Sequence, residues 1–94
     1  MNEREIVTRK YFFSGQVQGV GFRWTTRRIA AKYSVSGYVS NLIDGRVELV
    51  AQGEESVISE FIDAVIRHFE QNLESTDFAE FEPEEEFADF AIRR

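Results

Sequence analysis

Residues 37–52 read GYVSNLIDGRVELVAQ, from Gly37 to Gln52. Asp44-Gly45 near the middle is a turn signal, because Gly supplies the positive φ that a tight hairpin needs. Beyond the turn, Val47, Leu49 and Ala51 alternate with Glu48, Val50 and Gln52. That is the period-2 pattern of a strand with one buried face. Before the turn, Gly37–Leu42 reads as the partner strand. The stretch is a β-hairpin, and what flanks it decides the architecture.

Both flanks read as helices. Phe22–Tyr33 (FRWTTRRIAAKY) places Phe22, Thr25/Thr26, Ile29/Ala30 and Tyr33 close to a helical period. Arg27, Arg28 and Lys32 fall toward its C-terminal half, where the helix dipole favours cations. After the hairpin, Gly53-Glu54-Glu55 is expected to open a helix running to about residue 70, with acids in its first turn. Its expected apolar row is Val57, Phe61, Ala64/Val65 and His68, widened by Ile58, Ile62 and Phe69. Farther out, Lys10–Ser14 (KYFFS) reads as a strand. Phe78 and Phe81 read as another, with a bulge because they are spaced by three rather than two. Phe87–Ile92 reads as a last short strand after the acidic turn EPEEE.

The order is β-α-β-β-α-β with a short extra C-terminal strand. This predicts an α+β fold, the ferredoxin-like split βαβ sandwich, with two helices on one face of an antiparallel sheet. A single domain is expected over residues 1–94, with residues 1–7 as a flexible N-terminal extension.

Composition narrows the function. The 94 residues include no Cys and one His, His68. Disulfides, thiolate nucleophiles, Cys-ligated metals and multi-histidine metal sites are thereby excluded. No apolar run approaches the ~20 residues that span a bilayer, and the start MNEREIVTRK lacks an apolar signal core. A soluble cytoplasmic protein is expected, acting without a membrane. The net charge is −6, unevenly placed: residues 1–50 carry eight Lys/Arg against four Asp/Glu, and residues 51–94 carry three against thirteen. So acidic a chain is a poor non-specific nucleic-acid binder. Its basic half can still take a small anion. Tyr11 and Phe13 lack the basic-Gly-aromatic surroundings of base-stacking modules and read as core or sheet-face residues.

The basic half also holds SGQVQGVGFR, residues 14–23. Between a strand and a helix, its glycines let consecutive backbone N–H groups turn inward without a Cβ in the way. The following helix adds unpaired N–H groups and the positive end of its dipole. Arg23 brings a planar fork of donors to the same point. The arrangement suits a phosphate or a carboxylate; the alternative is a tight β-to-α connection with a surface Arg. The stretch is neither a Walker loop nor a dinucleotide fingerprint. Asn41, late in the second strand, can donate and accept at once and so hold a water, or else bond its own turn. Trp24 reads as a half-buried helix residue or as part of the site mouth, and His68 as a packed histidine or a partner of the helix dipole.

These residues, V17-Q18-G19-V20-G21-F22-R23, then G37-Y38-V39-x-N41 and D44-G45-R46-V47-E48, closely resemble acylphosphatase; F90-x-I92-R93 resembles that family's last strand. The resemblance covers roughly residues 8–93. It implies hydrolysis of the carboxyl–phosphate anhydride of acyl phosphates, without cofactor, metal or covalent intermediate. It implies that Arg23 grips the phosphate, that Asn41 orients the attacking water, and that Gln18, Gly19, Val20, Gly21 and Phe22 form the phosphate cradle. The expected partner is a small acyl phosphate, with no nucleic acid and no membrane, and the expected state is a monomer. The competing reading is a catalytically inactive anion-binding or regulatory module. Three departures stand out. Ser34-Val35 replaces a frequent Gly-Leu, so Ser34 is expected to strain a left-handed helix cap. Ser40 stands where Arg is common, and Arg94 where an aromatic is usual.

Overall fold

A computed structural model describes residues 5–80 and 86–93. The elements are β1 (Ile6–Gly15), α1 (Phe22–Ala30), β2 (Ser36–Asn41), β3 (Val47–Glu54), α2 (Glu55–His68), β4 (Leu73–Glu80) and β5 (Phe90–Arg93). They form one sheet in the order β4-β1-β3-β2-β5. β1 pairs antiparallel with β3 and β4, and β2 antiparallel with β3. This is the expected ferredoxin-like arrangement. The extra C-terminal strand exists, and it joins β2 in parallel, so the five-stranded sheet is mixed rather than wholly antiparallel.

Register explains the core. Phe78, Tyr11, Leu49, Val39 and Ile92 are cross-strand partners in turn, one row across all five strands. The next row, toward the C-terminal end of β2, is Thr76, Phe13, Val47 and Asn41. Period-2 alternation puts both rows on one face. The helices cover that face with Phe22, Thr26 and Ala30 from α1 and Ile58, Phe61, Ile62 and Val65 from α2. Phe13, Phe61, Leu49, Val39 and Val47 are fully buried, and each large apolar side chain so buried contributes about 1.5–3 kcal/mol. Val50 differs from expectation. It belongs to the outward face with Glu48 and Gln52, yet it is as buried as Leu49.

The outward face is polar and aromatic. Lys10 pairs with Glu48 at 3.3 Å. The Arg46 guanidinium lies 4.6 Å from the Phe12 ring centroid, and that of Arg93 lies 3.9 Å from the Tyr38 ring. At the edge of the helix-covered face, buried Arg9 meets Glu55 at 2.6 Å and Glu80 at 3.1 Å, tying β1 to α2 and β4.

Element boundaries move in informative ways. β1 begins at Ile6, so Ile6 and Val7 are paired with Glu54 and Gly53 rather than belonging to an extension. Gly53 lies in β3, not at the start of the helix. α1 stops at Ala30, and its end tightens through Lys32 N–H to Ile29 O and Tyr33 N–H to Ala30 O. Among the described residues no non-glycine residue has positive φ, so Ser34 carries no left-handed strain. β4 starts at Leu73, and its irregularity lies opposite Ser14/Gly15 instead of beside Phe78; Phe81 and Arg94 lie outside the described residues. β5 begins at Phe90. Phe87 precedes it, donating its N–H to Gln52 Oε1 at 3.1 Å and packing on Tyr38. His68 leaves the apolar row: it is exposed, edge-on to Phe69 at 4.7 Å, while Phe69 is buried.

Candidate active site

The site lies where β1, the N-terminus of α1 and the ends of β2 and β5 meet. Gly15 closes β1 with φ 122°, and a Cβ there would sit 2.3 Å from Asn72 O. The next strand's backbone therefore demands this glycine. Gly21 differs. It caps α1 in the left-handed region at φ 78°, and nothing lies within 4 Å of where its Cβ would be. Its carbonyl accepts from Thr25 N–H at 2.9 Å, but it has no side chain to cap the helix. The first N–H groups of α1 thus lack intrahelical partners, and no acid stands in the first turn to offset the dipole.

A cavity of about 240 Å³ opens here, lined by Val17, Gly19 and Gly21 of the loop, by Phe22, Arg23 and Trp24 of the first helical turn, and by Asn41 and Ile92. Arg23 Nη1 donates to Arg93 O at 3.3 Å, so the last described residue of β5 positions the guanidinium. Asn41 extends a row whose other inner members, Phe13 and Val47, are fully buried. Its Oδ1 is buried and has no hydrogen-bond partner among the described residues. Such an orphaned acceptor costs about 1–3 kcal/mol, and a sheet position flanked by apolar residues has no structural use for it.

The expected site residues divide. Gly19, Gly21, Phe22, Arg23 and Asn41 gather on the one cavity. The Phe22 side chain itself turns into the core, 4.4 Å from the Phe69 ring, leaving its backbone at the cavity. Gln18 and Val20 do not line it. Val20 projects at the loop tip, and Gln18 Nε2 donates to Leu42 O at 2.8 Å and to Arg46 O at 2.9 Å. Those two carbonyls bracket the β2–β3 turn: Leu42 N–H reaches Arg46 O, and Gly45 N–H reaches Leu42 O. Gln18 thus binds the glycine loop to the turn just past Asn41. In the same turn Asp44 accepts from Arg46 N–H at 3.0 Å and Nε at 2.9 Å. The backbone bond first, and the side-chain bond second, hold the Asp44 carboxyl below its ordinary range.

Val17, Trp24 and Ile92 also line the cavity. Of these, Trp24 had a sequence signal, its place directly after Arg23. Ile92 was marked only as part of the last-strand motif, because its place at the cavity depends on β5 joining β2 in parallel.

A family model described as Acylphosphatase matches residues 9–92. An acylphosphatase of Methanococcoides burtonii is 38% identical over 91 residues, covering 96% of this chain and 95% of that one. One from Archaeoglobus fulgidus is 48% identical over 60 residues, 64% of this chain and 67% of that one. Shorter matches among the curated relatives span about half of those proteins. In structure the chain is similar to an acylphosphatase from Coxiella burnetii, with TM-score 0.83 and 31% identity over 99% of this chain and all of that one. On the match over residues 9–92, the chain belongs to the acylphosphatase family.

Proposed function

We propose that the chain hydrolyses acyl phosphates to a carboxylate and inorganic phosphate, and that the cavity beside Arg23 and Asn41 is where it does so. The observation that carries this is that Arg23, Asn41 and the loop glycines Gly19 and Gly21 line one cavity. The phosphate dianion sits against the N–H groups of the Gly19–Phe22 loop and the N-terminus of α1, where dipole and orphan donors favour an anion. Arg23 adds a bidentate fork. The Asn41 carboxamide holds a water and directs its oxygen at phosphorus. The P–O bond to the acyl oxygen breaks, and the carboxylate departs with the electron pair. The water proton passes to a phosphate oxygen of the substrate.

No nucleophile or general base is needed because the anhydride is already activated. Positioning and charge stabilisation supply the rate. Among the described residues the lining holds no carboxylate, imidazole or thiol, so none of those side chains offers a covalent nucleophile there. Among the described residues no helix is long and apolar enough to cross a membrane. A monomeric cytoplasmic enzyme is part of the same proposal.

Loss of the ultraviolet absorbance of benzoyl phosphate tests the reading. Turnover should survive chelator, be inhibited by inorganic phosphate, and nearly vanish in Arg23→Ala and Asn41→Ala. Tight phosphate binding with no turnover would establish the inactive module instead, and chelator-sensitive turnover would defeat the metal-free mechanism.

A further inference from the structure

The anion-binding groups do not account for the whole cavity wall. Beside them stand Trp24 and Ile92. Trp24 is the chain's one tryptophan, and at 58% exposed it contributes little to the core. It is nevertheless restrained. The Arg28 guanidinium, one helical turn on, lies 5.2 Å from its ring centroid, a cation–π contact. Ile92 pairs with Val39, two residues before Asn41, which brings an aliphatic side chain to the same opening. Val17 and Phe22 are also apolar but lie fully buried beneath the loop. Among the described residues the solvent-reachable apolar wall of the cavity is therefore Trp24 with Ile92.

We infer that Trp24, seconded by Ile92, forms the subsite for the acyl group and makes the chain prefer aromatic or branched acyl phosphates to acetyl phosphate. The inference rests on the reading that the glycine loop and Arg23 hold the phosphate. With phosphorus there, the anhydride oxygen and carbonyl carbon come next along the substrate. Whatever they carry reaches the indole and Ile92. A preformed apolar wall beside a few placed polar groups is how small-molecule sites separate affinity from orientation. The cavity's 240 Å³ falls below the ~300–1,000 Å³ that encloses a drug-sized ligand. A phosphate with one ring or a short branched chain is of a size to occupy it.

The test compares kcat/KM for benzoyl phosphate and acetyl phosphate in the native chain, Trp24→Ala and Trp24→Phe. The intrinsic reactivities of the two anhydrides cancel when each variant's benzoyl-to-acetyl ratio is set against the native ratio. In Trp24→Ala that ratio should fall about tenfold, through KM rather than kcat, and Trp24→Phe should restore it to within about twofold. An unchanged ratio in Trp24→Ala, whatever loss both substrates share, overturns the subsite and leaves the phosphate reading standing. A binding measurement does not depend on turnover. Phenacylphosphonate and acetonylphosphonate are uncleavable isosteres of the two substrates. By calorimetry the native chain should bind the phenacyl compound more tightly, and Trp24→Ala should abolish the difference. Fluorescence of the single tryptophan should respond to the phenacyl compound and much less to inorganic phosphate. Equal native affinities for the two phosphonates overturn the proposal. A native chain that binds neither and turns over neither substrate removes the phosphate reading and the subsite with it.

Discussion

The molecule contains two strand-to-helix junctions of the same topological kind, and they are built in opposite ways. Between β1 and α1 lie the six residues Gln16–Gly21; between β3 and α2 lie none, since Glu54 ends the strand and Glu55 begins the helix. The cap of α2 is extended, at φ −68° and ψ 143°, with Glu55 in the first turn. Glu55 offsets the helix dipole and accepts from Arg9 at 2.6 Å. The cap of α1 is a left-handed glycine with no acid after it, and Arg23 adds positive charge instead. The second junction shows that the fold needs no loop here. One helix end is neutralised within the protein, and under the proposed function the other is left for an anion from outside.

Arg23 offers the largest way to break this contrast. Arg23→Ala should lower kcat/KM for benzoyl phosphate by about 10³-fold or more, because a charged fork aimed at developing phosphate charge exceeds a single neutral donor. The matching change at the second junction, Glu55→Gln, should leave turnover unaltered. It should cost no more than about 1 kcal/mol of stability, since Glu55 is largely exposed. Comparable losses of turnover from both variants would mean that the first junction has no special claim on the anion.

The glycines of the first junction divide the same way. In Gly15→Ala the new Cβ meets the backbone at Asn72 and Glu74, and φ 122° is unfavourable for any side chain. A loss of about 3 kcal/mol, read by chemical denaturation, is expected. In Gly21→Ala the methyl enters open space and only the left-handed backbone opposes it, so about 1 kcal/mol should be lost. If the two variants were equally destabilised, the open side of Gly21 would have to be packed rather than a route for ligand.

How much of this was legible in the sequence depends on which elements have two unlike faces. The β2–β3 hairpin and both helices did, because Val47, Leu49 and Ala51, or Phe22, Thr26 and Ala30, must all meet one core. β4 did not. LESTDFAE is an edge strand paired only with β1, and most of it is exposed, so burial imposes no alternation. The acidic segment gave no hint that Phe87 would dock on Gln52 and Tyr38 before β5 begins. At the site, Arg23, Asn41 and the glycines were readable because their types are unusual where they stand. The Gln18 tie was not, since its partners are main-chain carbonyls 24 and 28 residues away, and a carbonyl has no sequence signature.

That tie sharpens the comparison, because the second junction has no loop to fasten. Gln18→Ala frees two exposed acceptors, so stability should change by less than about 1 kcal/mol. The loop would no longer be held against the turn that follows Asn41, and kcat/KM should fall about fivefold through misplacement of the cradle relative to the water. Gln18→Glu, which cannot donate to either carbonyl, should behave like Gln18→Ala. Full activity in both would show that the loop keeps its place unaided.

The smallest expected effect lies in the turn to which Gln18 is fastened. Asp44 is held below its ordinary carboxyl range by Arg46, first through its backbone N–H and then through its side chain. A depressed folded value means stabilisation that is present above the unfolded carboxyl pKa of about 3.9 and lost as pH falls through the lower folded value. Asp44→Asn should therefore lower the melting temperature slightly at pH 7, and the difference should shrink as pH drops through the native carboxyl's titration. An equal gap at both ends of that range would place the stabilisation in hydrogen bonds that Asn cannot reproduce and not in charge. The turn would then keep its shape in acid, and with it the two carbonyls that Gln18 reaches.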